Sequence, residues 1–175
     1  MIKPDSGRPN DFLSLEDISA GQRFISRKYE LTESDIKAFA RQFDPQPFHL
    51  DNTAAQASVL RGLAASGWHT ASITMRLWTE SIPIAGGIVG VGGTVAWLAR
   101  ARPGDSLEVH AEIADVRRSS SNPRVGTIVV RSETRNQHDR VVLLQEVELF
   151  VPGRLARDAA ASQPSLVSFL LSKRE

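Results

Sequence analysis

The chain has 175 residues, of which 41% are hydrophobic, so it is long enough to form one domain around a sizeable core. Its formal net charge of +1 gives no reason to expect nucleic acid or an anionic membrane surface as a partner. It contains no cysteine, which excludes disulfides, thiolate zinc sites and cysteine nucleophiles.

We expect neither a secretory signal at the N-terminus nor a membrane span. The first twelve residues lack the apolar core of a secretory signal, and no run of about eighteen apolar residues could span a membrane. We therefore expect a cytoplasmic protein with no membrane partner. Since no internal repeat or linker divides the sequence, we expect a single domain over residues 1–152. Residues 1–20 are expected to form its extended lead-in, and residues 153–175 a polar tail.

The first predicted elements are a strand and a helix. The apolar content of residues 23–31 predicts a short strand. Thr32 can cap the helix that follows, because Asp35 stands at the third helical position, from which an acid can reach back. Apolar residues then recur at helical spacing as far as Phe43. The helix is expected to end there, because Pro45 cannot continue it.

An acid and an imidazole follow, five positions apart, at Asp44 and His49. Pro45 and Pro47 argue against a helix here, because each lacks a backbone N–H and fixes its own φ. They also push Asp44 and Gln46 toward extended conformations. The segment is predicted to be a stiff loop that directs two polar side chains at one point. A carboxylate and a neutral imidazole that share one water can perform general acid–base catalysis.

Two more helices are predicted before the spacing of apolar residues changes from that of a helix to that of a strand. The first is short, at about residues 51–58, with Asp51 as its cap. The second begins after a cluster of small residues, runs for about fourteen residues and ends before Pro83. Its apolar stripe is predicted to contain Trp68, Ala71, Met75 and Trp78, supported by Ile73 and Leu77. So broad an apolar surface indicates a largely buried helix.

The second half of the sequence reads as strands. They are predicted at about residues 88–98, 107–113, 124–135 and 141–151, with turns at 102–105 and 136–139. Gly92 and Gly93 interrupt the first of them and indicate a bulge or a close approach. Helices in one block and strands in another predict an α+β protein, in which one long helix lies against an antiparallel sheet.

These residues resemble the MaoC-like dehydratases and (R)-specific enoyl-CoA hydratases, a family with the hotdog fold. The family motif has an acid, a proline, a histidine two positions after it and a glycine at the start of the central helix. Here those positions are Asp44, Pro47, His49 and Gly67. Residues 97–105 and 136–137 also resemble the family, and the resemblance spans roughly residues 15–152. It implies an antiparallel β-sheet wrapped around a long central α-helix.

The resemblance also implies an activity. A water held between Asp44 and His49 would add across the 2,3 double bond of an enoyl thioester such as an acyl-CoA, or leave in the reverse direction. The backbone N–H of Gly67 would bind the thioester carbonyl, because helix N-terminal N–H groups are unpaired and lie at the positive end of the helix dipole. Which of Asp44 and His49 is the acid and which the base stays open. No cofactor is implied.

Two positions depart from the family pattern. Gln46 stands where the family usually has Asn, and Ser66 where it often has His. Gln46 keeps the amide on a side chain one methylene longer, so the orientation of Asp44 can differ from that in the family. Together with Trp68, these two residues are the candidate substrate-binding side chains.

The remaining polar residues have simpler interpretations. His69 is favoured as a hydrogen-bonded core histidine, and His110 and His138 as exposed. The four histidines show no metal-ligand spacing, so we expect no metal. The polar connection at residues 119–124 is expected to be a solvated loop. The alternative places it near a phosphorylated ligand arm, contacted by Arg117, Arg118 or Arg124.

Two other functions stay open. Hotdog thioesterases usually place a carboxylate on or beside the central helix, where this chain has none before Glu80. A non-catalytic acyl-binding subunit is the second alternative, suggested by Gln46 and Ser66. In all three cases we expect a homodimer, because unpaired strand edges need a partner or protection.

Overall fold

The fold is an antiparallel sheet packed against one long helix. A computed structural model describes residues 12–87, 89–120, 122 and 125–154. Its helices are α1 (Glu33–Phe43), α2 (Pro47–Leu50), α3 (Asn52–Ala57) and α4 (Gly67–Ser81). Its strands are β1 (Arg23–Ile25), β2 (Tyr29–Glu30), β3 (Val89–Trp97), β4 (Ser106–Arg118), β5 (Val125–Arg135) and β6 (Val141–Pro152). This arrangement confirms the predicted α+β class.

The strands join in the order β1-β4-β5-β6-β3, with β2 also paired to β4. All of these pairings are antiparallel. In β4 the residues that face the helix alternate with residues that face outward, as the sequence predicts. The strand β3 forms one edge of the sheet, so among the described strands it has a neighbour on one side only.

The predicted strand at residues 23–31 is wrong as a single element, because it is divided into β1 and β2. The division falls at Ser26, whose backbone N–H donates to the carbonyl of Val109. The return bond from the Val109 N–H goes to the Ser26 hydroxyl at 2.9 Å instead of to a backbone carbonyl. A side chain therefore replaces the main-chain acceptor, and the regular ladder stops there.

The caps of the short helices are confirmed. Thr32 and Asp35 form the predicted capping box of α1, and Asp51 caps α3 by accepting a hydrogen bond from the Ala54 N–H at 2.8 Å. The prediction of a loop throughout the acid–histidine segment is wrong, because Pro47 begins the short helix α2. Proline fits the first helical position, since the N–H it lacks would have had no intrahelical partner there.

The central helix α4 has the predicted length, and it buries the predicted Ile73, Leu77 and Trp78 but not the whole of the predicted stripe. The core contains Thr70, Ile73, Thr74, Leu77 and Trp78, whereas two members of the predicted stripe, Trp68 and Met75, are 63% and 44% exposed. The threonines can face the core because their hydroxyls are satisfied. The Thr74 hydroxyl bonds to the Thr70 carbonyl at 2.9 Å and to the hydroxyl of Thr134 on β5 at 2.6 Å.

The glycines of β3 allow this edge strand to pair closely with β6. The register shifts between Gly90 and Gly92, which confirms the predicted irregularity. A Cβ on Gly93 would lie 2.5 Å from the carbonyl oxygen of Glu146, so only glycine allows the close approach of β6 here. Within the described ranges, no helix has the length and apolar character needed to cross a membrane.

The N-terminal part of the domain packs into the core. Within the predicted lead-in, Leu15 and Ile18 are 0% and 5% exposed, and residues 15–17 form a 3₁₀ turn. Leu13 bridges to Ile84 beyond the end of α4. Most of the predicted tail, residues 155–175, and residues 1–11 lie outside the described residues.

Candidate active site

The end of α1 positions the candidate acid. The helix stops at Phe43, and Asp44 is its C-cap residue with φ −150°. The side-chain amide of Gln46 donates to Asp44 Oδ1 at 2.7 Å, so the amide that departs from the family pattern contacts the acid itself. The Ser66 hydroxyl also donates to this carboxylate. Two neutral donors from two different segments therefore fix the orientation of Asp44.

The candidate imidazole lies on α2 and is 5% exposed. Its Nδ1 lies 2.7 Å from the backbone carbonyl oxygen of Ala64. A carbonyl oxygen can only accept, so Nδ1 carries a proton and donates it to this bond. In the neutral ring Nε2 is then the unprotonated nitrogen, and its lone pair is available. The backbone before α4 thereby selects the tautomer of His49.

Nε2 of His49 lies 3.5 Å from Oδ2 of Asp44. A neutral Nε2 and an ionised carboxylate are both acceptors, so they cannot bond to each other directly. They can share a proton, or each can accept one O–H of the same molecule of water. The structure therefore brings together the two groups of the sequence motif in a geometry suited to proton transfer.

The pKa of Asp44 reflects opposing influences. Burial of the carboxylate acts to raise it, but the hydrogen bonds from Ser66 and Gln46 and the nearby ring of His49 outweigh burial. The pKa of Asp44 therefore lies below its ordinary value of 3.8. Asp44 is consequently a carboxylate at neutral pH and a weak proton acceptor there.

The N-terminus of α4 lies beside this pair. Ser66 is its N-cap residue, and the Ser66 hydroxyl accepts the N–H of Trp68 at 3.2 Å while donating to Asp44. The N–H of Gly67 has no acceptor within the part of the chain that the structure describes. It is thus one of the unpaired donors that every helix N-terminus presents. Ser66 therefore contacts Asp44 and is also the residue directly before Gly67, the candidate oxyanion donor.

Trp97, at the end of β3, holds the first turn of α4. Its indole N–H donates to the carbonyl of Gly67 at 2.8 Å. A Cβ on Gly67 would lie 2.8 Å from the indole nitrogen, so the glycine is required for this packing. Trp68 packs edge-on against the same indole, with ring centroids 5.2 Å apart. The predicted substrate-binding residue Trp68 therefore supports Trp97 from the outside.

A cavity of about 480 Å³ opens beside these groups. His49, Gly67 and Trp97 contribute to its wall, which otherwise combines apolar residues, Thr70 and several arginines. Asp44, Gln46, Ser66 and Trp68 are not among its lining residues, and Gln46 and Ser66 contact Asp44 instead. The size is within the range of about 300 to 1,000 Å³ that small-molecule sites occupy.

Sequence reasoning missed two contributors to this site. Ala64 acts through its main-chain carbonyl, which leaves no trace in residue type. Trp97 belongs to the segment that resembles the family, but its sequence context predicts only a position in a strand. No signal in the sequence pairs Trp97 with Gly67, because the two residues are far apart in the chain and meet only through the packing of β3 on α4.

The other histidines stay apart from the pair. His69 is 6% exposed and stacks on Phe39 with centroids 4.6 Å apart, but its Nδ1 has no partner among the described residues. It is therefore buried as predicted, without the predicted hydrogen bond at that nitrogen. Burial lowers the pKa of His69. His138 is exposed as predicted, whereas His110 is half-buried against Glu108 at 2.8 Å.

Comparison with known proteins gives consistent matches over most of the chain. The model of the MaoC-like domain family matches residues 18–136. The crystal structure of the MaoC-like dehydratase from Rhodospirillum rubrum is 45% identical, with 81% of this chain and 98% of that chain covered and a TM-score of 0.79. The R-hydratase PhaJ1 from Pseudomonas aeruginosa is 21% identical, covers 81% and 86%, and has a TM-score of 0.65.

Among curated sequences, a 3-hydroxybutyryl-CoA dehydratase from Methylorubrum extorquens is 29% identical over 150 residues, which are 85% of this chain and 90% of that protein. The structural matches confirm the predicted hotdog fold, in which the sheet packs around the central helix.

Proposed function

The chain belongs to the MaoC-like domain family, and from this membership we propose that it is a hydro-lyase acting on an enoyl thioester, with enoyl-CoA as its substrate. The reaction is the reversible addition of water across the 2,3 double bond. The observation that carries the proposal is the separation of 3.5 Å between His49 Nε2 and Asp44 Oδ2, combined with the bond that protonates Nδ1.

The proton passes through His49 in the proposed mechanism. Asp44 stays ionised because its pKa is lowered, so it orients the water by accepting one O–H. Nε2 of His49 accepts the other proton as the water oxygen bonds to C3. The imidazolium then gives a proton to C2, which completes the addition without any further reactant. Imidazole suits this role, since one ring nitrogen can accept a proton while the other stays hydrogen-bonded as a donor.

The N–H of Gly67 is the proposed electrophilic donor. Addition of water to C3 moves negative charge onto the thioester oxygen. A helix N-terminal N–H stabilises such a charge through its hydrogen bond and through the dipole of α4. Trp97 serves as a positioning residue, because its bond to the Gly67 carbonyl holds the adjoining peptide in place.

The thioesterase alternative gains no support from the described residues. The first acid on α4 is Glu80, which lies at the opposite end of the helix from Gly67. Glu80 pairs with Arg27 at 2.8 Å and with Arg76 at 3.1 Å, so its charge is already balanced. A carboxylate held by two guanidiniums is a poor nucleophile or base.

A panel of enoyl-CoA thioesters of increasing chain length tests the proposal. Hydration removes the conjugated enone, so its absorbance falls, and the 3-hydroxyacyl product is identified by mass. The proposal expects hydration of at least one member, with the thioester intact. Release of free thiol without hydration would establish a thioesterase instead, and tight binding without either change would establish a non-catalytic acyl-binding subunit.

A further inference from the structure

Three arginines line the cavity that contains His49 and Gly67. They are Arg100, Arg102 and Arg140, and no aspartate or glutamate is among the residues that line it. The whole chain has a formal net charge of only +1, so this wall carries a local excess of positive charge that the total conceals. Like charges gathered in one cavity repel one another unless an anion joins them.

None of the three guanidiniums pairs with a carboxylate within the described ranges. Arg102 donates to the carbonyls of Leu60 at 2.8 Å and Leu63 at 3.1 Å, and Arg100 donates to the carbonyl of Val59 at 3.1 Å. Carbonyl oxygens satisfy hydrogen bonds but leave the charge uncompensated. A guanidinium has five N–H donors, so each of these side chains keeps donors for a ligand.

Arginines on the outward face of the sheet, unlike those of the cavity wall, are paired with carboxylates. There Arg23 pairs with Glu112 at 2.9 Å and Arg131 pairs with Glu146 at 2.5 Å, so neighbouring strands balance each other's charge. The same pairing was available to the cavity arginines in a chain with 20 acidic residues. Within the described residues, the lack of a carboxylate beside the three arginines of the cavity wall leaves their charge available to an anionic ligand group.

We propose that Arg100 and Arg140, supported by Arg102, bind a phosphate of the substrate's pantetheine arm and so select phosphorylated thioesters. This inference rests on the proposed function, because it places the thioester beside Gly67 in the same cavity. Guanidinium and phosphate form short, charge-assisted and frequently bidentate hydrogen bonds. Coenzyme A and an acyl carrier protein both present such a phosphate, which is the shared chemistry that the site recognises.

The sequence left open an alternative in which Arg117, Arg118 or Arg124 contacts a phosphorylated ligand arm. Arg117 instead pairs with Asp115 at 2.7 Å, neither Arg117 nor Arg118 lines the cavity, and Arg124 lies outside the described residues. Arg118 is exposed at the far end of β4, so Arg118→Gln removes one positive charge away from the cavity. It is a matched control for Arg100→Gln and Arg140→Gln. Arg102 is left intact because it holds the loop before α4.

The test compares crotonyl thioesters of coenzyme A, 4′-phosphopantetheine and pantetheine, of which the last has no phosphate. We expect Arg100→Gln and Arg140→Gln each to lower kcat/KM for the two phosphorylated substrates by roughly 10- to 100-fold, the scale of one charge-assisted hydrogen bond. The value for crotonyl-pantetheine should be unchanged, which also shows that the variants fold. Arg118→Gln should match the wild type on all three.

The pattern across substrates assigns the phosphate. Equal losses on coenzyme A and phosphopantetheine assign it to the pantetheine arm, which a crotonyl carrier protein shares. A loss confined to coenzyme A would move the contact to the nucleotide and overturn the pantetheine assignment. Variants that lose activity equally on all three substrates, or on none, would overturn the anion site while hydration by the wild type stands. Failure of the wild type on every crotonyl and longer enoyl thioester would instead refute the proposed function.

Discussion

Replacement of Asp44 by asparagine is the sharpest test of the proposed site, because it changes charge and proton chemistry with almost no change in shape. The asparagine oxygen can still accept from Gln46, which donates to Oδ1 at 2.7 Å. Its amide nitrogen then takes the place of Oδ2, 3.5 Å from His49 Nε2. A donor at that position competes with water for the lone pair of His49 and offers no acceptor for the second water proton.

The expected loss in turnover is about 10²- to 10⁴-fold, the usual contribution of a group engaged in general acid–base catalysis. That corresponds to about 3 to 5 kcal/mol of activation free energy, at 1.36 kcal/mol for each factor of ten. The side chain of Asp44 is 20% exposed and fills no apolar cavity, so the folded state should survive. Loss of enone absorbance gives the rate, and a thermal melt gives the folded fraction.

Asp51→Asn is the matched control. Asp51 lies near the site but caps α3, and asparagine caps a helix about as well as aspartate. This variant should keep the wild-type rate and melting temperature. A folded Asp44→Asn protein that hydrates the substrate within threefold of the wild-type rate would refute the assignment of Asp44 to the proton chemistry.

Three further outcomes follow from the structure. Gly67→Ala keeps the backbone N–H but places a methyl against Trp97, whose nitrogen would be 2.8 Å away. The first turn of α4 must then shift and displace the donor, so turnover per folded molecule should fall by up to roughly a hundredfold, the scale of one oxyanion donor. Trp97→Phe should cost less, and an equal loss would assign the effect to packing alone. Burial lowers the pKa of His69, so the unfolded chain binds more protons below about 6.5, and the free energy of unfolding should fall as the pH drops from about 7 to 5. His69→Leu should flatten that dependence in denaturant titrations, and an unchanged slope would contradict the assignment to His69. Light scattering at micromolar concentration should show a homodimer, since β3 leaves a sheet edge available, and a monomer would contradict this expectation.

Local signals in the sequence predicted the element boundaries best. Thr32 and Asp51 each cap the helix they were expected to cap, because a capping side chain acts on N–H groups only two or three residues away. Gly104 adopts φ +86° in the predicted turn for the same local reason. The motif spacing also anticipated that Asp44 and His49 would meet, although their catalytic roles remain predictions.

Properties that depend on distant neighbours were not predicted. The buried face of α4 was predicted correctly at Trp78 but not at Trp68 and Met75, because hydropathy ranks these two above Thr70 and Thr74. The threonines face the core because helix carbonyls and Thr134 satisfy their hydroxyls, and that partner lies on β5. The excess of positive charge in the cavity was not predicted for a related reason. The formal net charge of the chain does not say which arginines have carboxylates beside them in the fold.

The bond between His49 Nδ1 and the Ala64 carbonyl has a consequence for how the protein tolerates mutation. Every residue type carries the same carbonyl, so a substitution at position 64 does not delete the acceptor. Deleting it requires a change in the path of the backbone before α4, and Arg102 holds that path through the carbonyls of Leu60 and Leu63. The Ala65 N–H also holds this path by donating to the Ala101 carbonyl at 2.8 Å. A substitution of Arg102 is therefore expected to disturb the tautomer of His49, although Arg102 makes no hydrogen bond to the ring.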